Sequence, residues 1–126
     1  MSLILDAGAL IAYERRDRTV RAYLERAERT ETPVLTTAGV IAQVWREPAR
    51  QARVARLLRG VEEVELTRVR ARVVGLLLGV SKSADVVDGS VLEAAEDGDE
   101  ILTSDPDDIT PLANAAGKTV IVTSVG

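Results

Sequence analysis

The stretch EILTSDPDDI, residues 100–109, is a short apolar run that ends in Thr103, Ser104 and then three aspartates within four positions. An apolar run of this length reads as a buried strand, and Asp-Pro reads as the start of a helix, because aspartate accepts a backbone N–H and proline fits the first helical turn. The same grammar occurs at LILDAGALIAY, residues 3–13, where the run LIL stops at Asp6 and a short helix follows. Strand, acid and helix in that order, twice, indicate parallel strands joined by crossover helices, with an acid at each strand's carboxyl end.

Working outward, the pattern continues. TVRAYLERAER (19–29) carries Val20, Tyr23, Leu24 and Ala27 at helical spacing. PVLTT (33–37) is a second strand, and AGVIAQVWRE (38–47) a helix that Pro48 breaks before PARQARVARLL (48–58) forms another. VEEVELT (61–67) is a weaker strand. RVRARVVGLLLGV (68–80) and SADVVDGSVLEAAEDG (83–98) are helices, DPDDITPLANAAG (105–117) is mostly helical, and TVIVTSV (119–125) is the last strand. We therefore expect a single domain over residues 1–126, a three-layer α/β/α sandwich with a parallel sheet of about five strands and right-handed crossovers.

Composition narrows the chemistry. The 126 residues include no cysteine and no histidine, so thiolate sites, imidazole bases and Ser-His-Asp triads are excluded. Any hydrolytic chemistry must rest on carboxylates and oxygen-loving metals. With no Phe, two Tyr and one Trp, the core must be aliphatic, and Trp45 is expected to belong to it. No apolar run approaches the ~20 residues of a membrane span, and Asp6 interrupts the first apolar stretch, so a cytoplasmic protein with no membrane association is expected. Residues 1–72 hold fourteen Arg against ten acids, a balance of +4, while residues 73–126 hold two Lys against ten acids, a balance of −8. One half can offer a cationic surface and the other an acidic pocket.

In a parallel sheet the carboxyl ends of all strands lie on one edge, where ligands bind. Asp6 and Asp105 belong to that edge. Asp85 and Asp88 are three apart and share a helix face. Asp6, Asp85 and Asp105 can each be a helix cap instead, which contributes about 1 kcal/mol. Together they can hold Mg²⁺ or Mn²⁺, which prefers oxygen ligands and removes the penalty of crowded like charges.

At these residues the chain resembles the PIN-domain family of metal-dependent ribonucleases, in particular the VapC-type toxins of VapBC toxin–antitoxin pairs. LILDAGALIAY is similar to the family's opening strand, aspartate and helix; DGSVLEAAEDG to its aspartate-led helix; ILTSDPDDI to its strand followed by Thr-x-Asp. The resemblance implies a ribonuclease in which Asp6, Asp88 and Asp105 are metal ligands and Asp85 a supporting catalytic acid, with a metal-activated water attacking an RNA phosphodiester. Thr103 can bond that water or a neighbouring carboxylate, and Asp108 is either an outer acid or a surface residue. The resemblance further implies a cognate antitoxin and a homodimer, for which the helices at 7–29 and 38–58 offer a surface. One departure stands out: the family usually has a glutamate where this chain has Gln43, and Glu47 one turn later is the substitute available. A PIN-fold module that binds RNA or protein with weakened catalysis is the alternative. For the substrate, Arg46, Arg50 and Arg53 are spaced to share a helix face and contact phosphates. A phosphotransfer receiver is disfavoured, because LILDAG offers one acid rather than a pair and Lys118 precedes its strand.

Overall fold

The computed structural model describes residues 1–126. Five strands form one sheet: β1 (Leu3–Leu5), β2 (Val34–Thr37), β3 (Glu62–Val64), β4 (Glu100–Thr103) and β5 (Ile121–Ser124). Seven α-helices connect or flank them: α1 (Ala7–Glu14), α2 (Arg18–Arg29), α3 (Ala38–Val44), α4 (Ala52–Leu58), α5 (Arg68–Ser81), α6 (Val86–Ala94) and α7 (Pro106–Ala116). The sheet order is β3-β2-β1-β4-β5, and every neighbouring pair is parallel. The chain builds outward from β1 to β3, crosses back to β4, and ends at β5. The strand order thus reverses between β1 and β4, which pair in register Leu3 with Glu100, Ile4 with Ile101 and Leu5 with Leu102. This is the topological switch point, where crossover helices leave in opposite directions and a crevice opens at the strand ends.

Helices α1, α3 and α4 pack together, as do α5, α6 and α7, giving the three-layer α/β/α sandwich, PIN-like in architecture. All three residues of β1 and all four of β4 are buried, as expected of strands covered on both faces. The core around them is aliphatic: Ile4, Leu5, Leu10, Val20, Val40, Val91, Leu92, Ile101, Leu102 and Ile109 are fully enclosed.

The segment after α3 departs from the sequence expectation. The helix expected over 38–47 stops at Val44, and the one expected over 48–58 splits into a 3-10 turn (Pro48–Arg50) and α4. Pro48 has no N–H and forces Glu47 into extended backbone. The Gln51 side chain then clamps the break, accepting from the N–H groups of Arg46 (2.9 Å) and Glu47 (3.0 Å) while its amide donates to the Val44 carbonyl (2.8 Å). Arg46, Arg50 and Arg53 consequently do not share one helix face: they stand on a bend, a 3-10 turn and α4 respectively. Trp45, released from the helix, is 36% exposed and is not a core residue. It borders a surface depression with Ile41, Ala55 and Leu58.

Gly8 sits where α1 passes the end of β4. A Cβ there would collide with the Ser104 side chain and come within 2.9 Å of the Ser104 backbone nitrogen. Neither α1 nor the strand end can yield cheaply. Gly8→Ala is therefore expected to lower the unfolding free energy by about 1–3 kcal/mol, read as a reduced urea midpoint, whereas Gly75→Ala, whose Cβ would meet nothing within 4 Å, is expected to be neutral or stabilising.

Candidate functional site

The switch-point crevice is lined by acids from three elements. Asp6 follows β1 directly and caps α1, its carboxylate accepting from the Ala7 N–H at 2.8 Å. The other carboxylate oxygen accepts from Thr103 Oγ1 at 2.7 Å. Thr103 is the last residue of β4 and fully buried, and its hydroxyl oxygen in turn accepts from the Asp105 N–H at 3.0 Å. One threonine thus ties the ends of the two central strands together. The side chain of Asp6 is fixed from two directions.

Asp105 behaves differently from a helix cap. Its carboxylate makes no capping bond to α7, which begins with Pro106, and its nearest donor is Ser104 Oγ at 3.5 Å. The carboxylate is exposed at the crevice instead. Asp85 does cap α6, accepting from the Asp88 N–H at 2.9 Å. Asp88, in the first turn of α6, is half-buried and receives no hydrogen bond on its carboxylate.

The carboxylates are near enough to feel one another's charge. Burial pushes the Asp88 carboxyl up to about 7, with the charges of Asp6, Asp85, Asp108 and Asp105 adding to the effect. Burial also raises Asp6, opposed by the bonds from Thr103 and Ala7 and reinforced by Asp105 and Asp85. Asp6, Asp85, Asp88 and Asp105 are therefore brought to one crevice, and Asp108, on the exposed side of α7, joins them. They are not drawn into a ready-made cage: no three acids stand close enough to hold a metal ion as they are. As a donor set of oxygens alone, they suit a hard divalent cation that retains part of its water shell.

A layer of buried hydroxyls beneath the acids was not apparent in the sequence. Thr36 Oγ1 donates to the Leu5 carbonyl at 2.7 Å, just before Asp6. Thr37 Oγ1 and Ser90 Oγ are 2.8 Å apart, linking the end of β2 to α6 two residues after Asp88. The available signal was the threonine closing β2 and β4 alike. A Cβ at Gly39 would stand 3.3 Å from Ser90 Oγ, so the glycine lets α3 approach α6 closely. Gln43 lies one turn further on α3 and is exposed. Glu47 is beyond the helix end and pairs with Arg50 at 3.3 Å.

The far end of α6 is anchored. Lys118 Nζ donates to the carbonyls of Leu92 (2.7 Å) and Glu93 (2.9 Å), and Arg70 holds the Glu93 carboxylate at 2.9 and 3.0 Å. Partial burial lowers the Lys118 amine. These contacts fix the helix that carries Asp88. A surface pocket of about 530 Å³ lies elsewhere, among Tyr13, Leu24, Val34, Leu57 and Val61, and none of the four acids lines it.

Fold and crevice together define a class: a parallel α/β/α sandwich with an acid-lined switch point. No protein-family model matches the chain, and no curated protein matches it in sequence. Among solved structures it matches a chain in the crystal structure of VapBC2 from Rickettsia felis bound to a DNA fragment from their promoter, with a TM-score of 0.74 over 100% of both chains at 10% identity. At that identity the likeness establishes a shared fold.

The pH dependence follows from Asp88. Its folded-state value of about 7 exceeds the ordinary 3.8. The native chain therefore holds more protons than the unfolded chain between those values. Its contribution makes stability fall as pH rises through that window and level off above about pH 7. Asp88→Asn is expected to become progressively more stable than the natural protein from about pH 4 to 7.5, by on the order of 1 kcal/mol after solvent screening, measured by urea titration without added metal.

Proposed function

We propose that this protein is a Mg²⁺- or Mn²⁺-dependent ribonuclease, the toxin of a toxin–antitoxin pair. The observation that carries the reading is the convergence of Asp6, Asp85, Asp88 and Asp105 on the switch-point crevice, where burial first and the neighbouring carboxylates second push Asp88 up to about 7. Crowded carboxylates without histidine or cysteine match a hard cation and phosphodiester chemistry. A cation bound there would polarise a phosphoryl oxygen and make a water more acidic. Asp6, held by Thr103 and the Ala7 N–H, supplies a ligand whose direction is set before binding. Asp88 and Asp105 complete the ligand set, and Asp85 supports Asp88 through the cap of α6. Asp88 gives up its proton more readily once a cation offsets its neighbours.

For the substrate, Arg46, Arg50 and Arg53 remain the cations assigned to RNA phosphates, now as three separate contacts rather than one row. Arg50 pairs with Glu47 at 3.3 Å in the open, and Arg53 with the more enclosed Glu14 at 3.5 Å, so binding must exchange these pairs for phosphate, at small cost for the exposed one. The cognate antitoxin and a second copy of the chain are the protein partners. The shared fold with a VapBC2 chain at a TM-score of 0.74 supports this assignment.

The second reading, a PIN-fold module that binds RNA or protein with weakened catalysis, is favoured by Gln43 and by the absence of a preformed three-acid cage. Cleavage of an RNA pool with added Mg²⁺ or Mn²⁺ separates the two. The ribonuclease reading expects cleavage abolished by chelator and reduced at least about a hundredfold in Asp6→Ala. It also expects Gln43→Glu, which adds an acid on the helix that packs against α6, to lower the metal concentration required. Intact RNA in the natural protein and in Gln43→Glu would favour the binding module. Metal binding has an independent readout: excess Mn²⁺ should raise the melting temperature of the natural protein and leave Asp88→Asn nearly unchanged.

A further inference from the structure

Trp45 is the only tryptophan of the chain, and it is exposed although large apolar side chains are scarce. It borders a depression of about 380 Å³ whose other walls are Ile41, Ala55, Leu58, Arg59 and Glu63. That volume is at the low end of small-ligand clefts. The backbone carrying the indole is braced. Arg46 Nη1 donates to the carbonyls of Ala42 (2.7 Å) and Trp45 (3.1 Å), and the Gln51 amide donates to that of Val44 (2.8 Å). An aromatic face held in this way loses little freedom when a ligand stacks on it. The rim is charged and unpaired: Arg59 and Glu63 both line the depression, yet neither belongs to an ion pair. Around it, residues 45–59 carry Arg46, Arg50, Arg53, Arg56 and Arg59 against one acid, Glu47. Arg56 and Arg59 are exposed and stand three apart at the end of α4.

From these observations we infer that the depression is a base-recognition subsite that takes one unpaired guanine of a single-stranded RNA. The inference rests on the reading of RNA as substrate and adds the base that is recognised, at a place separate from the acidic crevice. Three features of a nucleotide meet three features of the site. The flat base stacks on the indole of Trp45, an interaction open to any base. The flanking phosphates meet Arg56 and Arg59, an attraction that also carries no sequence information. Glu63 supplies the discrimination. A carboxylate offers acceptors only, and the Watson–Crick edge of an unpaired base is free to be read. Guanine presents two adjacent donors there, N1–H and the N2 amino group, which match the two carboxylate oxygens. Adenine and cytosine set a donor beside an acceptor, and uracil flanks its one donor with two carbonyls, so each brings a lone pair against the carboxylate. An apolar peptide side chain in the same place would leave Glu63 and the arginine rim without partners. A guanine nucleotide satisfies the indole, the acid and the cations together.

Because Trp45 is the sole tryptophan, its fluorescence reports on the depression directly. The probes are short uridine RNAs with one central G, A, C or U, in the presence of EDTA so that cleavage does not intervene. The G-centred RNA should quench Trp45. By the anisotropy of a fluorescein tag it should bind about tenfold more tightly than the other three. Trp45→Ala should weaken its binding about tenfold, and Trp45→Phe should retain most of it. Glu63→Gln, at an exposed position, should erase the preference among the four RNAs and leave a binding that still weakens with salt. Equal affinity for all four RNAs, or G-centred binding indifferent to Trp45→Ala, would overturn the inference. So would quenching by an acidic helical peptide of leucine and glutamate but by no RNA, which would assign the depression to a protein. Cleavage in Mg²⁺ without any guanine preference in binding sinks this inference alone, whereas guanine-selective binding without cleavage in any metal sinks the ribonuclease reading alone.

Discussion

The parallel pairing of β1 with β4 is the constraint on which the site depends. These strands are distant in sequence, yet they are adjacent at the centre of the sheet and end at the same edge. Their carboxyl ends carry Asp6 and, two residues beyond the strand, Asp105. The Thr103 hydroxyl makes the adjacency rigid, because it donates to the Asp6 carboxylate and accepts from the Asp105 N–H. Gly8 belongs to the same constraint, since only a residue without a side chain lets α1 pass Ser104 at that separation.

Against this order works the repulsion among the acids. Burial first, and the neighbouring charges second, raise the proton affinity of Asp88 and Asp6, and this opposes folding at neutral pH. The surrounding structure must offset that strain, and it does so at the base of the crevice and at the far end of α6. Thr36, Thr37 and Ser90 satisfy buried polar groups beneath the acids. Lys118 and Arg70 hold the last turn of α6 through its carbonyls and Glu93. A lysine on the carbonyl end of a helix is favourably placed with respect to the helix dipole. Stability and site geometry are coupled here: the contacts that hold α6 also determine where Asp88 stands.

Several features were legible from local pattern. The strands at LIL and EILT, the parallel architecture and the helix that follows Asp6 all follow from short apolar runs bounded by caps and breakers. Caps were legible as possibilities but not as outcomes. Asp6 and Asp85 are caps as well as crevice acids, whereas Asp105 makes no capping bond although Asp-Pro is a strong signal for one. The break after Val44 was only half visible. Pro48 announced a boundary, but the clamp by Gln51 across it is a contact between side chain and backbone that periodicity does not register. That break separated the three arginines and exposed Trp45.

By itself, the sequence determined the chemistry available: oxygen ligands only, an aliphatic core, and an acid placed after each of two strands. Local spacing suffices for that, because residue type and helix or strand period act over a few positions. Which strands are neighbours, and hence which acids meet, is a property of the whole sheet. It took the order β3-β2-β1-β4-β5 to bring residues 6 and 105 side by side. The outward face of α5 is another such property, since the same helix presents two apolar sides in sequence and only packing against α6 decides which is left bare.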